Sequence, residues 1–277
     1  MRLHFDPATG TDFFSDDQGA EYRTGLMPGA PAADAPLAAS LGFPLIPRSD
    51  IRDINLWELD PQVWNQNPYN SCAGHGAVAA VSLAYHLGGA KSLRLSPTYV
   101  YGNIIADKNR GDNGARLDET LREVTERGVC SENLVGRGQI YRRSWANRAA
   151  ADKEAELYKV AEWLLVKTFD EMLTLISLAF PISFGISLGQ RFSPGPGGVI
   201  PDRSGGGGGH AMAAAAIRRI GGRLYVGSKN SWGPDWADGG YCWMPESYFT
   251  AGDMNAYGGV WVPLVVTTDP KSDPTIS

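Results

Sequence analysis

Long apolar runs are missing from this 277-residue sequence. No stretch supplies the roughly 18 consecutive apolar residues that a membrane helix needs, so no membrane span and no membrane partner are expected. Basic excess is missing too. The formal net charge is -5 with no long run of Lys or Arg, which excludes a phosphate-tracking surface and a nucleic-acid partner. Cysteine is scarce: Cys72, Cys130 and Cys242 are three in number and far apart. They argue against a disulfide framework and for a reducing compartment, either the cytoplasm or a virus-associated setting. The opening residues, MRLHFDPATG, lack the apolar stretch of a secretory signal. Metal-ligating clusters are also absent. Cys72-x-x-His75 has a metal-like spacing, but a site needs three or four ligands and no second cluster appears. Neither a metal nor a cofactor is expected.

What is present reads as a soluble globular chain, with 43% hydrophobic and 20% charged residues. Residues 1–45, with their Pro- and Ala-rich MPGAPAADAPLAAS, show no convincing apolar period and read as an extension, loosely ordered or wrapped on the surface. A helix is expected to begin near Cys72, with Val78, Val81 and Tyr85 on one face and Gly88-Gly89 ending it. Ser96 and Pro97 mark the start of a second helix. A third covers about 116–127, with Leu117, Leu121 and Val124 as its buried stripe. The stretch 144–158 reads as helical. VAEWLLV and ISFGISL read as strands, with DEMLTLISLAF a helix between them. The last third, with HAMAAAAI, RLYVGSKN and GGYCWMP, consists of short segments separated by glycines, the pattern of an antiparallel sheet. Helices first and strands later give an α+β chain with its two kinds of structure segregated. SGGGGGH, at 204–210, reads as a flexible loop.

Thiol chemistry needs a thiolate, a basic partner, a group that orients the partner, and donors for an oxyanion. Cys72 sits where the first helix begins, and a helix N-terminus stabilises a thiolate. Of four histidines, His4 lies in the extension and His86 is about four turns along the helix from Cys72. His75 is one turn away but competes with the packing of its own helix. His210 opens a strand after the glycine loop and is the best partner. The amide oxygen of Asn230, in KNSWG, is suited to accept the far N–H of an imidazole. Trp232, two residues on, is placed to cover that hydrogen bond. Gln66 precedes Cys72 by six residues, and its side-chain amide is a candidate oxyanion donor beside the Cys72 N–H.

In this order and spacing Gln66, Cys72, the HAM at His210 and the KNSWG at Asn230 resemble the papain-like cysteine peptidases of the C1 type, in a divergent bacterial or phage form. IPRSDIRD, LSPTYVYG, DNGARLDETLREVTERGVC, GGVIPDRSGGGGGHAM and GGYCWMP extend the resemblance over about residues 46–265. It implies a two-lobed fold: a helical lobe at about 66–145 with Gln66 and Cys72, and an antiparallel β lobe at about 159–265 with His210 and Asn230. The cleft lies between them, residues 1–45 are a candidate cover for it, and 266–277 form a tail. It implies hydrolysis of peptide bonds through a thioester by a monomer acting on peptide or protein. Backbone at Gly114 would pair with an extended substrate.

The chain departs from the family pattern in places. Ala73 replaces the usual Trp after the nucleophile. Tyr69 stands where the family has the first Cys of a disulfide, so rigidity there is expected from packing. The usual Gly-Gly reads Gly114-Ala115, followed by Arg116. Two other functions fit the same residues: a Cys-dependent amidase or transpeptidase on a specialised substrate, and a papain-like module without turnover.

Overall fold

The computed structural model describes residues 1–16 and 18–265; the tail at 266–277 lies outside the described residues. The chain opens with three short strands, β1 (Arg2–Asp6), β2 (Thr11–Ser15) and β3 (Glu21–Arg23), paired antiparallel in that order. Nothing in the hydropathy of residues 1–45 announces this sheet. The reason is that only Phe14 of these strands is fully buried, while β1 is exposed at four of its five positions. The short β4 (Ile54–Asn55) follows.

Helices then dominate: α1 (Cys72–Leu87), α2 (Pro97–Asp107), α3 (Leu117–Glu126) and α4 (Arg148–Ala155). The sequence predicts an apolar face for α1, but the helix is buried on all sides from Cys72 to Tyr85. It is Ala- and Gly-rich because it is the central helix, enclosed all round. Gly76 lets it approach the sheet closely: a Cβ there would lie 2.9 Å from Met212 N, a backbone atom with no room to move. Gly89, at φ 99°, terminates the helix. Ser96 caps α2 as its sequence implies, its Oγ accepting from Tyr99 N at 3.0 Å with Pro97 in the first turn.

The C-terminal half is a sheet accompanied by two helices. Its parts are β5 (Val160–Val166), α5 (Phe169–Ser177), β6 (Ile182–Ser187), β7 (Gly209–Ile220), β8 (Arg223–Lys229), β9 (Tyr241–Pro245), α6 (Ala251–Ala256) and β10 (Val260–Val265). The order is β5-β10-β6-β7-β8-β9, with β4 also paired to β7, and every pairing is antiparallel. Thr168 and Glu171 cap α5 reciprocally, Thr168 Oγ1 accepting from Glu171 N and Glu171 Oε2 from Thr168 N. One core joins α1–α4 to the near face of the sheet, and a second lies between the far face and α5. This is the two-lobed α+β architecture. Its consequence for the site is that α1 packs on β7, so the first turn of α1 meets the first residues of β7.

Candidate active site

Cys72 is the first residue of α1 and is fully buried. The N–H groups of Ala211, Ala73, Cys72 itself and Leu26 all favour a charge on its sulfur, yet burial outweighs them and pushes the thiol up to about 12. Register places His210 opposite Ile186 at the start of β7, one residue before Ala211. His210 Nε2 donates to Asn230 Oδ1 at 2.7 Å, and that oxygen also accepts from Ser231 N at 2.8 Å. The bond fixes the tautomer and leaves Nδ1 as the bare nitrogen. Nδ1 is buried and has no hydrogen-bond partner. The Trp232 ring lies 4.7 Å from the imidazole and helps to exclude water from it.

Gln66 is held by the stretch just after β8 that carries Asn230. Its N–H donates to Ser231 O at 2.7 Å, and its Oε1 accepts from Ser231 Oγ at 2.6 Å. The amide is therefore turned with its NH2 away from Ser231, toward Tyr69 O (2.9 Å) and Thr24 O (3.3 Å). Structure brings Gln66, Cys72, His210, Asn230 and Trp232 into one neighbourhood from three distant stretches of chain. His75 bonds elsewhere, its Nδ1 facing Ser71 O at 3.0 Å. His4 is occupied with Ser15 Oγ at 2.7 Å.

The profile of the papain family cysteine proteases matches residues 48–256. The chain belongs to the papain family. Mexicain from Jacaratia mexicana is 27% identical over 181 residues, which is 65% of this chain and 80% of that one. Cysteine protease XCP2 from Arabidopsis thaliana is 28% identical over 182 residues, 65% of this chain but only half of the relative. Among solved structures, xylellain, a cysteine protease from Xylella fastidiosa, shares the fold with a TM-score of 0.66 at 22% identity, covering 88% of this chain and 98% of that one. Procathepsin L 3 of Tenebrio molitor larval midgut shares it with a TM-score of 0.65 at 17% identity, covering 85% and 75%. This papain-family chain is a cysteine-type peptidase.

The N-terminal segment pairs with the residues around Cys72. After β3 the chain runs through the site as a strap, residues 23–29. Trp232 Nε1 donates to Arg23 O at 2.7 Å and Gln66 Nε2 to Thr24 O. Ala115 N donates to Gly25 O at 3.0 Å, and Ala115 O accepts from Met27 N at 2.9 Å. Leu26 N donates to Gly209 O at 3.2 Å, and Leu26 is 5% exposed. Gly29 N then donates to Ala256 O, and Gly258 N to Gly29 O. The strap runs parallel to the stretch that it pairs with.

The residue that pairs with the strap is Ala115, the neighbour of Gly114, which sequence reasoning expects to pair with substrate. Gly114 N donates instead to Tyr101 Oη at 3.0 Å. Gly114 serves by its lack of a side chain: at φ 85°, a Cβ would lie 2.1 Å from Gly25 O. Sequence reasoning offers residues 1–45 as a cover without placing the strap at 23–29, and it misses Ser231 and Lys229. The Lys229 ammonium is buried, donates to Asp60 O and lies 4.5 Å from the centre of the Trp57 ring. Burial pushes its pKa down to about 8. It ties the segment that leads to Gln66 onto the residue before Asn230. The signal available was only a Lys at the end of a largely buried strand.

His210 is fully buried and His75 nearly so, and burial pushes their pKa values from 6.5 to about 4. The unfolded chain takes up protons below pH 6.5 that the folded chain refuses until about pH 4. The resulting stability is present above pH 6.5 and is lost as pH falls through that window. Each histidine contributes at most about 1.4 kcal/mol per pH unit. Urea midpoints at pH 7 and pH 4.5 should therefore differ, and His75→Gln should shrink the difference. An unchanged difference in that variant would remove His75 from the account.

Proposed function

We propose that this chain hydrolyses peptide bonds with Cys72 as nucleophile, His210 as base and then acid, Asn230 as the group orienting His210, and Gln66 with the Cys72 N–H as oxyanion donors. We propose further that the strap holds the enzyme closed. One observation carries the reading: a peptide carbonyl, that of Thr24, already sits on Gln66 Nε2. In the closed state both reacting groups are neutral, the thiol near 12 and the imidazole near 4. Withdrawal of the strap admits water and removes the desolvation that keeps them so. The Cys72 proton then passes to His210 Nδ1, and the imidazolium keeps its Nε2–H on Asn230.

An extended substrate takes the place of the strap along Ala115. Cys72 Sγ attacks its carbonyl carbon, and the oxygen takes the negative charge between Gln66 Nε2 and the Cys72 N–H. His210 gives its proton to the leaving nitrogen as the C–N bond breaks, leaving a thioester. Water attacks the thioester with His210 taking its proton. The acid product departs as the proton returns to Cys72. Three free thiols support a reducing compartment as the setting for this chemistry.

The test is the mass of the full-length chain after incubation with a thiol-directed peptidyl epoxide in reducing buffer. A Leu26→Asp chain and a Cys72→Ala control run beside it. One adduct on the Leu26→Asp chain, lost with Cys72, supports the reading. No adduct on either would make the chain a papain-like module without turnover. An adduct without cleavage of any member of a peptide library would point to a specialised amidase or transpeptidase.

A further inference from the structure

The cleft wall beside the nucleophile lacks the family's disulfide, since Tyr69 stands at its first position and the chain's three cysteines, all free, lie at 72, 130 and 242. Something else must tie the turn entering α1 to the stretch that pairs with peptide. Asp112 does so by three hydrogen bonds. Its Oδ1 accepts from Asn70 N at 3.0 Å and from Tyr101 Oη at 2.8 Å, while its carbonyl accepts from Asn70 Nδ2 at 2.8 Å. Tyr101 Oη in turn accepts from Gly114 N at 3.0 Å. Tyr101 is fully buried on α2, and α2 lies hard against the first turn of α1, where a Cβ at Gly74 would meet Tyr101 Cβ at 3.2 Å. The ring is thus enclosed within the helical lobe. Asn70 is two residues before Cys72, and Gly114 is one before Ala115.

We propose that Asp112 and Tyr101 are positioning residues that act as a polar clamp in place of the disulfide, setting the nucleophile's turn and the peptide-pairing backbone at a fixed spacing. The proposal rests on the peptidase reading for its kinetic consequences, but the clamp itself is testable without turnover. The two residues divide the work. Tyr101 Oη holds Gly114–Ala115, so its loss loosens peptide pairing. Asp112 holds both sides, so its loss also displaces Asn70 and the N–H groups at the start of α1. Asn at 112 keeps an acceptor oxygen where Oδ1 stands, so it preserves the geometry without the charge.

The experiment uses the full-length chain with Leu26→Asp to open the cleft, its active fraction counted by epoxide titration so that unfolded material does not enter kcat. Tyr101→Phe should raise KM about tenfold with kcat nearly kept, the weight of a single hydrogen bond to positioned backbone. Asp112→Ala should raise KM and lower kcat together, and Asp112→Asn should restore most of both. A purely structural role would lower the titrated fraction and leave KM alone, and that result overturns the proposal. In parallel, amide exchange is read in the chain with its strap in place. Asp112→Ala should speed exchange at both Asn70 and Gly114 by about tenfold or more, and Tyr101→Phe at Gly114 alone. Unchanged exchange at both amides in Asp112→Ala overturns the clamp whether or not the chain proves to be an active peptidase.

Discussion

In the full-length chain, Leu26→Asp should raise the rate of Cys72 alkylation about a hundredfold. Leu26 is 5% exposed and packs in the space left by two glycines: a Cβ on Gly185 would lie 2.7 Å from Leu26 Cδ2, and one on Gly209 would lie 2.4 Å from Leu26 O. Burying a leucine side chain stabilises a structure by about 1.5–3 kcal/mol, and placing a carboxylate there costs more unless it is paired. The strap's remaining hold is a handful of backbone hydrogen bonds, each contributing a net 0.5–1.5 kcal/mol or so. A shift of about 3 kcal/mol in the closed–open equilibrium is roughly two decades in the open fraction. Alkylation of a fully buried thiol should follow that fraction. Leu3→Asp is the control, because Leu3 is 37% exposed on β1 and away from the strap. Equal rates in the Leu26→Asp and unsubstituted chains would mean that the strap does not limit access to Cys72.

His210→Ala, introduced into the opened chain, should lower kcat/KM for a peptide at least a thousandfold. Two roles disappear together, since the same imidazole takes the thiol proton and later protonates the leaving nitrogen. Asn230→Ala should cost less, about a hundredfold. It removes the 2.7 Å acceptor that fixes Nε2–H and therefore leaves Nδ1 free to carry the proton instead. Trp232 still packs on the ring in that variant, which is why the loss stays smaller. Steady-state kinetics on titrated enzyme distinguish the two. Loss in Asn230→Ala equal to that in His210→Ala would mean that the imidazole collapses without its partner and is not merely reoriented.

Much of this site is legible in the sequence because its chemistry is carried by side chains at fixed intervals from local signals. Cys72 follows from a helix start, His210 from a glycine-flanked strand start, and Asn230 from KNSWG. The start of α2 is legible for a similar reason, since Ser96 and Pro97 are local signals. What escaped reading acts through backbone or through contacts between distant segments. The strap engages Gln66, Ala115 and Gly209 by main-chain groups, so no side-chain pattern in residues 23–29 marks it. Ala115 pairs by N–H and C=O alone, and its identity says nothing of that use. The burial of α1 on all sides was hidden because Ala and Gly show little periodicity, however deeply they pack. Asp112 and Lys229 read as ordinary charged residues until the fold supplies their partners.

The strap is fastened at both ends, on one side by the Arg23–Asp6 ion pair within the N-terminal sheet and on the other by Gly29 between Ala256 and Gly258. A segment so tethered meets the cleft at an effective concentration on the order of millimolar, however dilute the protein. Dilution should therefore not open the strap, and a free peptide that binds no more tightly than the strap must approach millimolar levels to compete. A single cut among residues 30–45 would leave the β1–β3 anchor intact and the strap seated. Release then depends on lifting the small sheet from Trp232, where Phe14 and Tyr22 rest on the indole. Under the proposed closed state, the lever on access to Cys72 lies in the least regular-looking part of the sequence.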